Sequence, residues 1–345
     1  MVKGLIDRYR DWLDLPRTLT PVTIGEGDTP LVRWDDWGKS RIWLKLEGTN
    51  PTGSFKDRGM TVAVSIARHN GSRAVICAST GNTAASSAAF ASRAGLASVV
   101  VIPEGQVALP KMVQSAVHGA HLIAVRGNFD QALAAVRYAA QQESWLTLVN
   151  SVNPWRIRGQ ETSAYEIVDD LGAPPTLLVL PVGNAGNISA YHKGFVRYAK
   201  QAPRFIGVQA QGADPLVQGH WLDQVKTVAS AIRIGRPASA DTAKAAVSET
   251  QGRFLSINDQ EILAAQKDLA HGGIFVEPAS AAAYGGLKKL SAEEELPAGD
   301  IVVILTGMGL KDTETPQQWA NLTMTPTTSE HIVTTISQLL NLAEA

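Results

Sequence analysis

AVICASTGNTAASSAAFASRAGLASVVVIP, residues 74–103, decides how the chain folds. It opens on a short apolar run, Ala74–Ala78, too brief for a stable helix and closed by Ser79-Thr80-Gly81, which are turn formers. Alanine-rich sequence then runs from Asn82 to Ala94, and alanine is the strongest helix former. Gly95 ends that stretch, and Ser98–Pro103 is a second, β-branched apolar run. Strand, helix and strand in this order place the two strands side by side and parallel, with the helix lying over them.

The same rhythm extends in both directions. RIWLKLE (41–47), HLIAV (121–125) and LTLV (146–149) are further candidate strands in the first half. TLLVLPV (176–182), RFIGVQA (204–210), GRFLSI (252–257), IFVEP (274–278) and IVVILTG (301–307) follow in the second. Helical stretches lie between them, including FDQALAAVRYAAQQ (129–142), NISAYHKGFVRYAKQ (187–201) and DQEILAAQKDLAHGG (259–273). The expectation is an α/β protein of two three-layer domains with mainly parallel sheets and a site in the cleft between them. The rhythm breaks near Ser151–Arg156, where Pro154 interrupts it. A smaller domain is therefore expected over 41–150, and a larger one from 1–40 and 151–345. The stretch 211–237 is irregular. EHIVTTISQLLNLAEA (330–345) reads as an amphipathic helix packed on the surface or against a partner subunit.

Bulk properties narrow the function. The chain has 345 residues, 45% apolar and 18% charged, which suits an ample core. A net charge of −1 encodes no overall attraction to nucleic acid or to an anionic membrane. The one cysteine, Cys77, lies in an apolar run, so a reducing, cytoplasmic setting is expected. No apolar run is long enough to span a bilayer, and the N-terminal residues do not read as a secretory signal. His118 and His121 straddle Gly119 and make a poor metal face, so no metal site is expected.

Three loops follow candidate strands and open helices or turns: Ser79–Thr83, Gly183–Asn187 and Thr306–Leu310. In parallel sheets, ligands bind beyond the carboxyl ends of strands, where backbone amides at a helix start favour anions. Turn chemistry alone accounts for any one such loop. Two of them together with the lysine of NPTGSFKDRG (50–59) favour a ligand. Lys56 stands at a helix start, where the dipole and neighbouring Arg58 disfavour an ammonium. A lysine made less basic in this way is a better nucleophile toward an aldehyde. A stem packed on the protein with its head in water is the bland alternative. Neither a nucleotide P-loop nor a dinucleotide fingerprint is present.

NPTGSFKDRGM, STGNT, LPVGNAGN, EPASAA and TGMGLKD, in this order and spacing, resemble the threonine synthase family of the pyridoxal-phosphate fold type II (tryptophan synthase beta-like) superfamily. The resemblance runs from EGDTPL (Glu26–Leu31) to Asp312. It implies that Lys56 holds pyridoxal 5'-phosphate covalently and moves protons at the substrate Cα, with Phe55 beside the cofactor and Asn82 on its O3′. Gly183, Asn184, Ala185, Gly186 and Asn187 would cradle the cofactor phosphate, and Thr306 would face the pyridine nitrogen. The implied substrate is O-phospho-L-homoserine, its α-carboxylate held by Ser79, Thr80, Asn82 and Thr83. Its phosphate would be held by Ser151 and Arg156, with Asn150 and Asn187 nearby. The implied reaction is γ-elimination of phosphate and water addition at Cβ, a carbon–oxygen lyase step that ends threonine biosynthesis, in a homodimer. Arg158 and Glu161 exchange the signs usual in the family, which suggests a retained ion pair. Met308 replaces a commoner polar residue.

Two other readings stay open at this level. A threonine dehydratase or a β-replacing enzyme would use the same scaffold, and a non-catalytic protein that only binds the cofactor would use the same loops.

Overall fold

Strand residues in the second half of the chain separate by parity. Leu177, Val179, Ile301 and Val303 join one buried cluster, while Leu178, Leu180, Val302 and Ile304 join another. Successive strand side chains point to opposite faces, so this sheet is covered by helices on both sides. The same separation holds earlier in the chain. Val75, Cys77, Val100 and Ile102 lie in one cluster and Ala74, Ile76 and Val101 in another. The expected three-layer arrangement is thus present twice.

The computed structural model describes residues 4–105, 109–293, 296–320 and 323–340. Its strands are β1 (Leu31–Trp37), β2 (Ser40–Leu46), β3 (Ala74–Ala78), β4 (Ala97–Pro103), β5 (His121–Val125), β6 (Leu146–Leu148), β7 (Leu177–Pro181), β8 (Arg204–Ala210), β9 (Arg253–Ile257) and β10 (Gly299–Leu305). One sheet runs β1-β2-β10-β7-β8-β9 and the other β5-β4-β3-β6. All pairings are parallel except β1 with β2, a hairpin turned at Gly38, whose φ is +62°. Buried apolar strands contribute roughly 1.5–3 kcal/mol per large side chain, so this alternating pattern dominates the choice of fold.

The structure corrects the sequence expectation at three points. The 41–47 run was assigned to the smaller domain, yet β2 pairs with β10 from Ser40–Gly299 to Leu46–Leu305 and so belongs to the larger sheet. IFVEP does not form a strand and makes only an isolated bridge, Val276 to Met308. Gly273 at φ +87° precedes it and the helix Pro278–Glu293 follows, leaving a short extended connector. Pro154 begins a helix, Pro154–Leu171, whose first turn is capped by Asn153 accepting from the Trp155 amide at 3.0 Å. Proline suits that position, because its missing N–H would have had no helical partner.

The chain divides into a unit that ends at Asp312 and one that begins at Thr313. The second contains the helix Ile332–Leu339, and residues 341–345 of the expected terminal helix lie outside the described residues. Among the described residues, no helix is long and apolar enough to cross a membrane.

Candidate active site

Lys56 opens the helix Lys56–His69, and Phe55 precedes it without a side-chain cap. The Lys56 Nζ lies 4.1 Å from the Phe55 ring centroid. The lysine is packed among protein groups, although part of its side chain stays open to solvent. Burial pulls its ammonium down to about 7; the Arg156 charge adds to the fall and Glu277 opposes it. At neutral pH a substantial fraction is therefore the free amine.

Arg58, expected to push Lys56 in the same direction, does something else. Its Nε donates to Glu47 Oε2 at 2.7 Å and its Nη2 to Glu166 Oε2 at 2.6 Å. Glu166 also meets Lys45 at 3.0 Å, and Glu47 accepts from Ser163 at 2.7 Å and Thr29 at 3.0 Å. All of these groups are buried, so Arg58 is neutralised where it stands and braces the helix against the scaffold. Asp57 likewise has partners of its own, accepting from Thr52 Oγ1 and Ser86 Oγ at 2.6 Å each.

The cation that acts on Lys56 is Arg156, in the first turn of the Pro154–Leu171 helix. It is 1% exposed, its Nη1 donates to Val149 O at 2.6 Å, and its Nε has no partner among the described residues. Burial takes its guanidinium down to about 10. Arg158 and Glu161 form the anticipated ion pair at 3.2 Å, which Arg197 joins at 3.0 Å from Glu161.

The Ser79–Thr83 loop is half-buried and leads into the helix Asn82–Ala94. Gly81 at its N-cap offers no side-chain acceptor, so the first amides of the helix lack that partner. The Ser79 hydroxyl accepts from the Gly81 amide at 3.2 Å. Asn82 donates its Nδ2 to both oxygens of Glu277, at 3.1 and 3.2 Å.

Gly183–Asn187 opens the helix Gly186–Ala199, with Ala185 at φ +64° turning the backbone. A Cβ on Gly183 would stand 2.8 Å from the Ile232 Cα, so only glycine lets the loop lie against the Ser230–Ile232 turn. That turn belongs to the stretch the sequence left unassigned. Asn184 is a clasp, because its Oδ1 accepts from the Ala238 amide at 2.7 Å and its Nδ2 donates to Ser151 Oγ at 2.6 Å. The Asn187 Nδ2 is buried with no partner among the described residues. Asn150 uses both ends of its amide on the Ala78 backbone, each at 3.0 Å, and ties β3 to the chain leaving β6.

Thr306 closes the site. Its Oγ1 lies 2.9 Å from Ser280 Oγ, which also accepts from the Gly307 amide at 2.7 Å. The Thr306 carbonyl accepts from the Phe55 amide at 3.0 Å and the Gly53 carbonyl from the Met308 amide at 3.0 Å, so this loop is bonded to the Lys56 loop. The Met308 side chain lies against Gly53. Lys311 donates to Gln114 Oε1, and burial lowers its ammonium.

The structure thus brings together Lys56, Phe55, Asn82 and Thr306, and it brings Ser151 against the 183–187 loop. Asn150 is engaged elsewhere. Two residues escaped the sequence reading: Glu277 and Ser280, both inside EPASAA. A carboxylate before a proline at a helix start reads as an ordinary helix boundary, and only the tertiary contact to Asn82 marks it.

Residues 22–307 match the family described as pyridoxal-phosphate dependent enzyme. A threonine synthase of Mycobacterium tuberculosis is 51% identical over 322 residues, covering 90% of this chain and 89% of that protein. One of Halalkalibacterium halodurans is 48% identical over 323 residues, covering 91% of each. Among solved structures, O-ureido-L-serine synthase bound to O-ureido-L-serine superposes with a TM-score of 0.73 at 18% identity, over 92% of this chain and 97% of that one. A threonine deaminase of Solanum lycopersicum gives 0.69 at 24% identity, over 78% and 80%. These two likenesses concern the fold.

Proposed function

We propose the roles below from one premise: the chain belongs to the threonine synthase family of pyridoxal-phosphate dependent enzymes. It converts O-phospho-L-homoserine and water to L-threonine and phosphate, by γ-elimination followed by hydration at Cβ, as the last step of threonine biosynthesis. The residues present fit pyridoxal 5'-phosphate. The 183–187 loop offers backbone amides at a helix N-terminus, and the unpartnered Asn187 Nδ2 points to a missing acceptor.

Bound, the cofactor supplies an electron sink for charge developing at the substrate Cα. Lys56 holds it, and the Lys56 amine takes and returns the proton at Cα, a task suited to a group poised near 7. Phe55 would pack beside its ring, Asn82 would hydrogen-bond O3′ and Thr306 would offer a neutral hydroxyl to the pyridine nitrogen. Gly183, Asn184, Ala185, Gly186 and Asn187 hold the cofactor phosphate. Ser79, Thr80, Asn82 and Thr83, with the open first turn of their helix, hold the substrate α-carboxylate. Ser151, Arg156 and Asn187 bind the phosphate that leaves, and Asn150 contributes by fixing the loop that carries Ser151. The observation that carries the reading is Lys56, a packed amine beside a buried arginine, bonded into the same loops as Thr306.

A homodimer working in the cytoplasm without nucleic acid is also proposed: the family resemblance supports the homodimer, the near-neutral charge the absence of nucleic acid, and the single buried cysteine the reducing compartment. So is the division into a smaller 41–150 domain and a larger one from 1–40 and 151–345, with its first boundary moved past β2. The test is incubation of the purified protein, supplied with pyridoxal 5'-phosphate, with O-phospho-L-homoserine. Equal amounts of threonine and phosphate are expected. 2-Oxobutanoate from threonine without phosphate release would point to a dehydratase, and a bound cofactor with no turnover of either substrate to a non-catalytic protein.

A further inference from the structure

Glu277 is a carboxylate enclosed by the site with few partners of its own. It is 6% exposed, and its Oε1 would stand 2.5 Å from a Cβ on Gly307, so it fills the space beside the Thr306–Gly307 turn. Its backbone is fixed on both sides, the amide donating to Gly307 O at 3.1 Å and the carbonyl accepting from Ser280 N at 2.9 Å. An ionised carboxylate accepts up to about four hydrogen bonds. The side-chain donor it meets is Asn82 Nδ2, 3.1 and 3.2 Å from its two oxygens. Because an ionised carboxylate accepts only, this contact sets which end of the Asn82 amide faces it, and so where Oδ1 points.

Its charged surroundings span several elements. Lys56 and Lys311 act on it as cations and Asp312 as an anion, while Lys56 is faced in turn by Arg156 and Glu277. Burial raises the Glu277 carboxyl, and Asn82, Lys311 and Lys56 pull it back.

We propose that Glu277 is a positioning residue: it locks the Asn82 amide in one orientation and keeps a negative charge beside Lys56. The assignment rests on the cofactor reading of the site given above. Glu277→Gln keeps the shape and can still accept from Asn82, but removes the charge. Glu277→Ala removes both.

The test begins with the cofactor-free protein. Lys56 modification by trinitrobenzenesulfonate is followed against pH and quantified on the Lys56 peptide by mass spectrometry. Glu277→Gln should move the midpoint down by about one pH unit, making Lys56 about tenfold more reactive below that midpoint. An unchanged midpoint in Glu277→Gln overturns the charge role. In the second arm, pyridoxal 5'-phosphate affinity and the visible band of the loaded protein are measured for Glu277→Ala, Asn82→Ala and the double variant. Each single variant should weaken binding, with little added by the second change, as for two residues acting as one unit. Additive losses overturn the positioning role. Neither readout needs turnover, so a wild-type protein that makes no threonine would defeat the proposed function while leaving this result to stand or fall alone.

Discussion

Lys56 and Arg58 lie two residues apart on one helix, and their surroundings are opposite. Arg58 is fully buried between Glu47 and Glu166, and hydroxyls from Thr29, Thr162 and Ser163 complete that network. The cluster pins the helix to the Pro154–Leu171 helix and to the strand side of the larger sheet. Lys56 faces an aromatic ring and a like-charged arginine, with its one carboxylate influence coming from Glu277. The contrast teaches how to tell a structural charge from a chemical one. A charge whose buried partners match it holds the fold. A charge placed where its ionised form is penalised is available for chemistry. The satisfied pair also keeps the unsatisfied one in place.

Removing Lys56 should cost the most. Lys56→Ala is expected to lower threonine formation by ~10²–10⁴-fold, the range of a positioned proton-transfer group, while the protein still unfolds cooperatively in urea. Turnover within tenfold of the wild type would break the comparison at its chemical end.

Arg58→Met probes the structural end. It leaves Glu47 as a buried carboxylate without its cation and Glu166 with Lys45 alone, and breaking such a buried pair costs about 3–5 kcal/mol. Urea unfolding should register that loss. A variant as stable as the wild type would mean the cluster is not what fixes the helix.

A third change reads the penalty on Lys56 directly. In the folded, cofactor-free protein its ammonium titrates near 7 instead of the ordinary 10.5. Below pH 7 the folded state must hold a buried charge, whereas the unfolded chain holds it in water. Lys56→Met should therefore stabilise the protein there, by on the order of 2 kcal/mol after allowing for solvent screening. The gain should shrink as pH rises from about 7 through 10.5, above which the wild-type lysine is mostly neutral in both states. A gain that grows with pH would contradict the sign.

Gly183→Ala should have the smallest effect. Its Cβ would meet the Ile232 Cα at 2.8 Å, and backbone cannot swing aside as a side chain can. Pyridoxal 5'-phosphate should bind about tenfold more weakly, about 1.4 kcal/mol, as measured by fluorescence titration. Unchanged affinity would remove the 183–187 loop from the cofactor site.

Much of this architecture was legible in the order of residues, because short apolar runs bounded by turn formers alternate with alanine-rich or amphipathic stretches. The helix Phe129–Gln142 falls where its pattern places it, with Asn128 and Gln131 forming a capping box. β1 went unread although Gly38 separates two runs of mixed polarity, since half-buried edge strands carry a weak signal. IFVEP has the composition of a strand, but the glycines before it, Gly272 and Gly273, and its own proline leave no room for a ladder. The roles of Arg58, Asn150 and Glu277 were illegible for a shared reason. Each is decided by a partner far along the chain, Glu166, Ala78 and Asn82 respectively, and local pattern does not encode it. The Lys56 motif showed that a cation was present at a helix start. Which neighbour made it reactive, Arg156 and not Arg58, needed the fold.

The most direct test is chemical mapping of the cofactor's attachment. The protein loaded with pyridoxal 5'-phosphate is reduced with borohydride and digested, and the modified peptide is identified by mass spectrometry. The account predicts the added mass on Lys56, in the peptide that contains Ser54 and Phe55. The label on Lys311, the other partly buried lysine of the site, would contradict it.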